Sequence, residues 1–178
     1  APASGSWYRG APDEHGIPHA TMRCGAPNGY NVFTFDRNAY TARFKGAGEP
    51  ADRQMHTWIP DDASAGDELV INVWAGSPRD EVRYRLNAGP WRTARHEVRP
   101  DPYLAALKEI EESDQPPRGR PTPRLTDSNH LWVGRLPNDL PPGVHTLEVI
   151  TVDLYARTHR HREAITIRDQ PASRDRAE

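Results

Sequence analysis

Several short motifs in this 178-residue chain could hold metal ions by residue type and spacing: Asp13-Glu14-His15, Gly66-Asp67, Asn129-His130 and His159-Arg160-His161. Residues i and i+2 at a strand end point to one face, and hard carboxylates beside imidazoles suit a pair of divalent cations bridging a phosphate ester. The surrounding sequence does not supply the scaffold for such a centre. Ligand pairs of that kind end apolar strands in an alternating β/α chain, whereas Asp13 and His15 sit among prolines and glycines. His159 and His161 alternate with Arg160 and Arg162, whose charge opposes a cation, so a solvated strand face is expected there. His15, His19 and Cys24 form a second loose cluster, but a Cys-x-x-Cys or His-x-x-x-His partner that would complete a zinc site is missing. Polar loop residues are the expectation.

Other chemistries fare no better. Ser6 and Ser77 lack the Gly-x-Ser-x-Gly context of a nucleophile elbow, and Pro78 blocks a helix start after Ser77. Neither a Walker-type nor a dinucleotide-type glycine loop occurs. Among the tryptophans, Trp58 and Trp74 lie in apolar strands and are expected in the core or an interface. Trp7-Tyr8 lies in a loop, where an aromatic pair calls for a covering surface.

The elements that must position these residues are short. With 18 prolines and 13 glycines, the chain favours many brief elements separated by turns. A formal charge of −2 gives no basic excess for nucleic acid or anionic membrane. Mean hydropathy is low at −0.85, yet five tryptophans, six tyrosines and three phenylalanines supply large buried areas. Lys45 and Lys108 are the only lysines among 23 basic residues, a bias to which no function attaches. A single cysteine, Cys24, excludes an internal disulfide, and no run reaches the length of a membrane span. The chain opens Ala1-Pro2-Ala3 without Met, and is expected to be a processed chain or a fragment.

Residues 1–29 read as a long loop, followed by a hairpin. In it Asn31, Phe33 and Phe35 share one face, Asp36-Arg37-Asn38 turns, and Tyr40, Ala42 and Phe44 alternate with polar neighbours. Further strands are expected at 54–59, 68–75, 80–86, 91–95, 130–136, 144–154 and 159–168. One helix is expected over Pro102–Glu112, capped by Asp101, with Leu104, Leu107 and Ile110 as its apolar stripe. Residues 113–128 are expected to form an exposed Pro/Arg loop, and 169–178 a flexible tail. Short strands at this spacing predict an all-β, immunoglobulin- or fibronectin-like β-sandwich over residues 46–168. Residues 1–45 form its N-terminal loop and hairpin, packing on the sandwich or on another domain.

Two motifs are specific. Gly5-Ser6-Trp7-Tyr8-Arg9-Gly10 precedes Pro12-Asp13-Glu14-His15-Gly16-Ile17-Pro18, and Gly25-Ala26-Pro27-Asn28-Gly29-Tyr30 follows. Pro50-Ala51-Asp52-Arg53-Gln54-Met55, Arg99-Pro100-Asp101-Pro102-Tyr103, His130-Leu131-Trp132 and Leu140-Pro141-Pro142-Gly143-Val144-His145-Thr146 continue the series in order. The chain resembles the C-terminal module of bacterial calcineurin-like phosphoesterases. The resemblance implies a non-catalytic accessory module that follows a metallophosphoesterase domain, a phosphoric ester hydrolase. The His-x-His ligands of that domain lie upstream of the Gly-Ser-Trp segment. The divalent metal pair belongs to that catalytic domain in cis, and no catalytic or metal residue of the family maps onto this chain. A docking or substrate-access role then falls on Trp7, Tyr8, Asp13, His19, Asn28 and Tyr30. A secreted or periplasmic location fits the resemblance, while the residues leave localisation open. Two other readings stay open: an independent carbohydrate- or cell-surface-binding sandwich, marked by an exposed coplanar aromatic pair, and a small complete binuclear metalloenzyme.

Overall fold

A computed structural model describes residues 21–113 and 124–169. The expected docking residues Trp7, Tyr8, Asp13 and His19, the 114–123 part of the Pro/Arg segment and the tail from residue 170 lie outside the described residues.

Period-two alternation gives the hairpin. β1 (Gly29–Asp36) pairs antiparallel with β2 (Ala39–Gly46), placing Phe33 opposite Ala42 and Phe35 opposite Tyr40. The reversal is tight, and Arg37 takes a left-handed φ of 52°. Opposed residues share a face. Asn31, Phe33, Phe35, Tyr40, Ala42 and Phe44 therefore line one side of the hairpin, with Tyr30, Val32 and Thr41 on the other.

The remaining elements are β3 (Met55–Trp58), β4 (Glu68–Val73), β5 (Glu81–Leu86), β6 (Arg92–Thr93), β7 (Arg95–Pro100), α1 (Pro102–Glu111), β8 (Asp127–Arg135), β9 (Gly143–Val152) and β10 (Thr158–Ile167). They build two four-stranded sheets, ordered β3-β4-β8-β7 and β10-β9-β5-β6, with every pairing antiparallel. The molecule is an all-β sandwich. Leu69, Ile71 and Val73 from one sheet meet Val82, Tyr84, Leu147 and Val149 from the other in a single core. Each such side chain contributes about 1.5–3 kcal/mol on burial. Tyr84 also clips the sheets together. Its hydroxyl donates to the Arg135 carbonyl at 2.8 Å and accepts from the Arg135 N–H at 2.9 Å. The ring passes so close to Gly134 that a Cβ there would lie 2.5 Å from it, so only glycine leaves room.

Most expected strands occupy their places within a few residues. The expected strand over 91–95 is in fact split between the two sheets. Arg92 and Thr93 pair with β5, then the chain crosses at buried Ala94, and Arg95 pairs with Val133 of β8. Composition carries no mark of a crossover between two equally polar dipeptides. Strand β8 begins at Asp127, two residues inside the expected loop. The helix is capped as predicted: the Asp101 carboxylate accepts the Leu104 N–H at 3.1 Å, and Pro102 stands in the first turn. Of its stripe only Leu104 is buried, whereas Ile110 is exposed.

Candidate functional site

A cavity of about 290 Å³ lies between the hairpin and one end of the sandwich. The hairpin lines it with Asn31, Phe33, Tyr40, Ala42 and Phe44. The sandwich lines it with apolar Val73, Ala75 and Leu154 and with polar Asp80, Thr151, Asp153, Arg157 and His159, brought in by the end of β4, the start of β5, the end of β9, the β9–β10 turn and the start of β10.

Asp153 organises that turn. Its Oδ1 accepts the N–H groups of Tyr155 and Arg157, both at 2.9 Å, while Oδ2 accepts Arg157 Nε at 2.7 Å and His159 Nε2 at 3.2 Å. The carboxylate is an acceptor, so His159 carries its proton on Nε2 in this arrangement. Burial alone would raise the Asp153 pKa. The Arg157 side chain and N–H, with His159 and the Tyr155 N–H, outweigh it and hold the carboxyl below its ordinary value. Arg157 also donates through Nη2 to the Ala42 carbonyl on β2. One guanidinium thus ties the sandwich turn to the hairpin that overhangs it.

Asp80 and Thr151 differ. Asp80 Oδ2 accepts the Ser77 N–H at 2.9 Å, but buried Oδ1 has no hydrogen-bond partner among the described residues, and neither has Thr151 Oγ1. Asp80 is 8% exposed and Thr151 0%. Burial, with the Asp153 charge nearby, raises the Asp80 pKa despite the Ser77 N–H.

A second polar cluster lies on the opposite face of β4, beneath the segment 21–28 and α1. Asn72 Nδ2 donates to Asp101 Oδ2 at 2.7 Å and to the Cys24 carbonyl at 2.9 Å, and Asn72 Oδ1 accepts His130 Nδ1 at 2.8 Å. Trp74 Nε1 donates to His56 Nδ1 at 3.0 Å, leaving His56 Nε2 3.7 Å from Asp101 Oδ2. Burial would raise Asp101. The neighbouring His56, the Asn72 amide and the Leu104 N–H outweigh it and lower its pKa, while burial lowers His130 to about 4. Gly25 passes over Asp101 at φ 82°, and a Cβ would sit 2.2 Å from the carboxyl carbon. Met22, Cys24, Ala26, Phe44 and Trp74 close the cluster with apolar contacts.

Among the described residues the metal-like motifs are not brought together. Asp67 accepts the Ser64 N–H at 2.7 Å in a turn, His130 is buried beside Asn72, and His159 borders the cleft. No group of three or more His, Cys, Asp or Glu side chains able to hold a metal occurs among the described residues. The solvated face expected for His159 and His161 is corrected. Both lie on the half-buried face of β10, and Arg160 and Arg162 take the exposed one. Alternation alone carried this signal, since two histidines and Glu163 share a parity opposite to the arginines.

Of the expected docking residues, Asn28 and Tyr30 stand together at the hairpin root. The Asn28 carbonyl accepts the Ala47 N–H at 2.6 Å, and Tyr30, opposite Lys45, is 60% exposed. Tyr30 is one of a set of exposed side chains on the hairpin that includes Val32, Phe33, Phe35 and Tyr40. No helix among the described residues is long and apolar enough to cross a membrane.

An antiparallel sandwich carrying a separate aromatic hairpin defines the chain as an all-β module. A family model for the C-terminal domain of calcineurin-like phosphoesterases matches residues 1–159, and the chain belongs to that family. Such a domain implies a catalytic partner domain in cis. No match was found among curated proteins or among solved structures.

Proposed function

We propose that this chain is a non-catalytic accessory module that docks on the catalytic domain of a calcineurin-like metallophosphoesterase and shapes access to its substrate site. The divalent metal pair and the phosphoric ester chemistry belong to that catalytic domain. The observation that carries the reading is the hairpin. Tyr30, Val32, Phe33, Phe35 and Tyr40 are exposed on one short β-ribbon, beyond what scattered surface apolar residues require. The segment leading to it is pinned by the Asn72–Asp101 cluster through the Cys24 carbonyl. The sandwich is immunoglobulin-like in this reading. Its orders β3-β4-β8-β7 and β10-β9-β5-β6 follow those of the A-B-E-D and G-F-C strands, with β6 as an added edge. Trp7, Tyr8, Asp13, His19, Asn28 and Tyr30 are the docking or access residues it assigns.

The test joins the catalytic domain to the module and measures phosphodiester turnover for Trp7→Ala and Tyr30→Ala. Turnover falls at least severalfold while the module's unfolding midpoint holds. Unchanged kinetics at unchanged stability would sink the docking role.

One observation favours a second reading, an independent carbohydrate-binding module. Phe33 and Phe35 are exposed with rings 6.3 Å apart and inclined by 23°, a near-parallel pair that offers aromatic surface to a sugar ring.

A further inference from the structure

We propose that β1 is a pairing edge for a second copy of this chain, joining two hairpins across a two-fold axis into one four-stranded ribbon. The pairing uses the backbone edge of β1 rather than the ring faces of the hairpin, so it does not rest on the docking reading.

Three observations carry it. The first is exposure. β1 and β2 form a two-stranded sheet of their own, and all eight residues of β1 are exposed. The outer edge of β1 has no strand beside it among the described residues. A sheet of two strands is marginal in water, and an open row of N–H and C=O groups is a template for another strand.

The second is that β1 is the one long edge left unguarded among the described strands. Tyr30-Asn31-Val32-Phe33-Thr34-Phe35 contains no charge, proline or glycine and is rich in β-formers. The other edges are blunted in ways that deter pairing. β3 and β6 are only four and two residues long, and β7 carries Arg95, Glu97, Arg99 and a register shift. β10 exposes Arg160 and Arg162 and sets Glu163 on its half-buried face. β2 carries Arg43 and Lys45, and its Ala42 carbonyl is taken by Arg157.

The third is self-complementarity. A two-fold brings the middle of a strand against itself, so a charge there would meet its own copy, and β1 has none. Opposed residues share a face and faces alternate along a strand, so the axis passes through a residue. On Phe33 it sets that ring beside its own copy and Val32 opposite Thr34, and it keeps the two Asp36 carboxylates roughly 20 Å apart. The strands run antiparallel, so the two sandwiches stand at opposite ends of the joined ribbon. Both outer edges of that ribbon are β2, whose charges stop further addition, and the assembly closes at two copies. Tyr30, Val32, Phe33, Phe35 and Tyr40 together offer about 400–600 Å² on each copy, less than the roughly 800 Å² per partner of a standard interface. A weak, concentration-dependent dimer is expected.

The test follows the mass of the whole 178-residue chain by sedimentation from micromolar to millimolar concentration. The mass is expected to rise from one chain towards two and to stop there. Phe33→Lys sets like charges face to face and is expected to weaken the dimer about tenfold. Thr41→Lys places the same charge on β2 and is expected to change it less than about twofold. Phe33→Cys gives a second readout, because the antiparallel Cα spacing of about 4.5–5.5 Å suits a disulfide. Mild oxidation is expected to cross-link that variant and to leave Thr41→Cys uncross-linked, while Cys24 is buried and stays silent. An unchanged unfolding midpoint shows that each variant is folded. A chain that stays monomeric at every concentration overturns the pairing. So does a dimer indifferent to Phe33→Lys, a Phe33→Cys variant that does not cross-link, or growth beyond two copies.

Discussion

Two regions gather nearly the same side chains and put them to different use. Around Asp101 a carboxylate, two histidines, an asparagine and a tryptophan are enclosed between β4, α1 and the segment 21–28, and Asp101 is 1% exposed. Around Asp153 a carboxylate, a histidine, an arginine and a tyrosine stand on the rim of an open cleft. In the first cluster both Asp101 oxygens are spent on holding elements together, one on the helix cap and one on Asn72. In the second, Asp153 is equally engaged, and buried atoms without a partner among the described residues occur beside both: His56 Nε2 and His130 Nε2 in the first, Asp80 Oδ1 and Thr151 Oγ1 in the second. Residue type therefore does not separate scaffold from site here. What separates them is enclosure: the Asp101 cluster is covered by the segment 21–28 and α1, whereas the Asp153 turn borders an open cleft.

The sharpest way to break this contrast is to remove each carboxylate in turn. Asp101→Ala strips the helix cap and strands the Asn72 amide in a closed interior, and is expected to cost about 3–5 kcal/mol in denaturant unfolding. Asp153→Ala loosens a half-exposed turn and frees Arg157 to water, so about 1–2 kcal/mol is expected. Equal losses would mean that the Asp153 cluster is as structural as the other.

A smaller effect distinguishes the two regions by pH. His130 is buried in the Asp101 cluster with its pKa depressed from 6.5 to about 4, so the folded protein binds this proton less readily than the unfolded chain. Stability from His130 is therefore fully present above pH 6.5 and is lost as pH falls from 6.5 towards 4, by an amount on the order of 3 kcal/mol. His130→Phe leaves Asn72 Oδ1 without its donor and is expected to cost about 1–3 kcal/mol at pH 7. The difference in stability between wild type and variant must then shrink as pH falls through that window. A constant difference across it would show that the imidazole is not held neutral by burial.

The sandwich was legible because its signals are local. Alternation wrote the hairpin and β5, and Asp101-Pro102 wrote the helix start. Neither cluster was legible as a unit, since each is assembled across the chain. Cys24 and Asn72 are 48 residues apart, and Asn72 and His130 are 58 apart. Asp80 meets Thr151 and Asp153 only because β5 pairs with β9, a non-neighbour in sequence. The metal-like spacings were misleading for the same reason: adjacency in a motif says nothing about which distant strand completes it. Asn28 and Tyr30 came from family resemblance, whereas the exposure of Phe35 and Tyr40 depends on the hairpin standing away from the sheets, which no local pattern encodes.

The smallest expected effect concerns the hairpin itself. Phe35 is 74% exposed near the turn, so Phe35→Ser removes little buried surface and is expected to change stability by less than about 0.5 kcal/mol. Phe44 shares its face of the ribbon but is buried at the root, edge-on to Trp74 at 6.2 Å between ring centres. Phe44→Ala is expected to cost about 3–5 kcal/mol. Measured together by chemical unfolding, the pair separates a tip kept apolar for a partner from a root kept apolar for the fold. A large loss for Phe35→Ser in the isolated chain would place the tip in the module's own packing. It would remove the reason to assign those rings to a neighbouring domain.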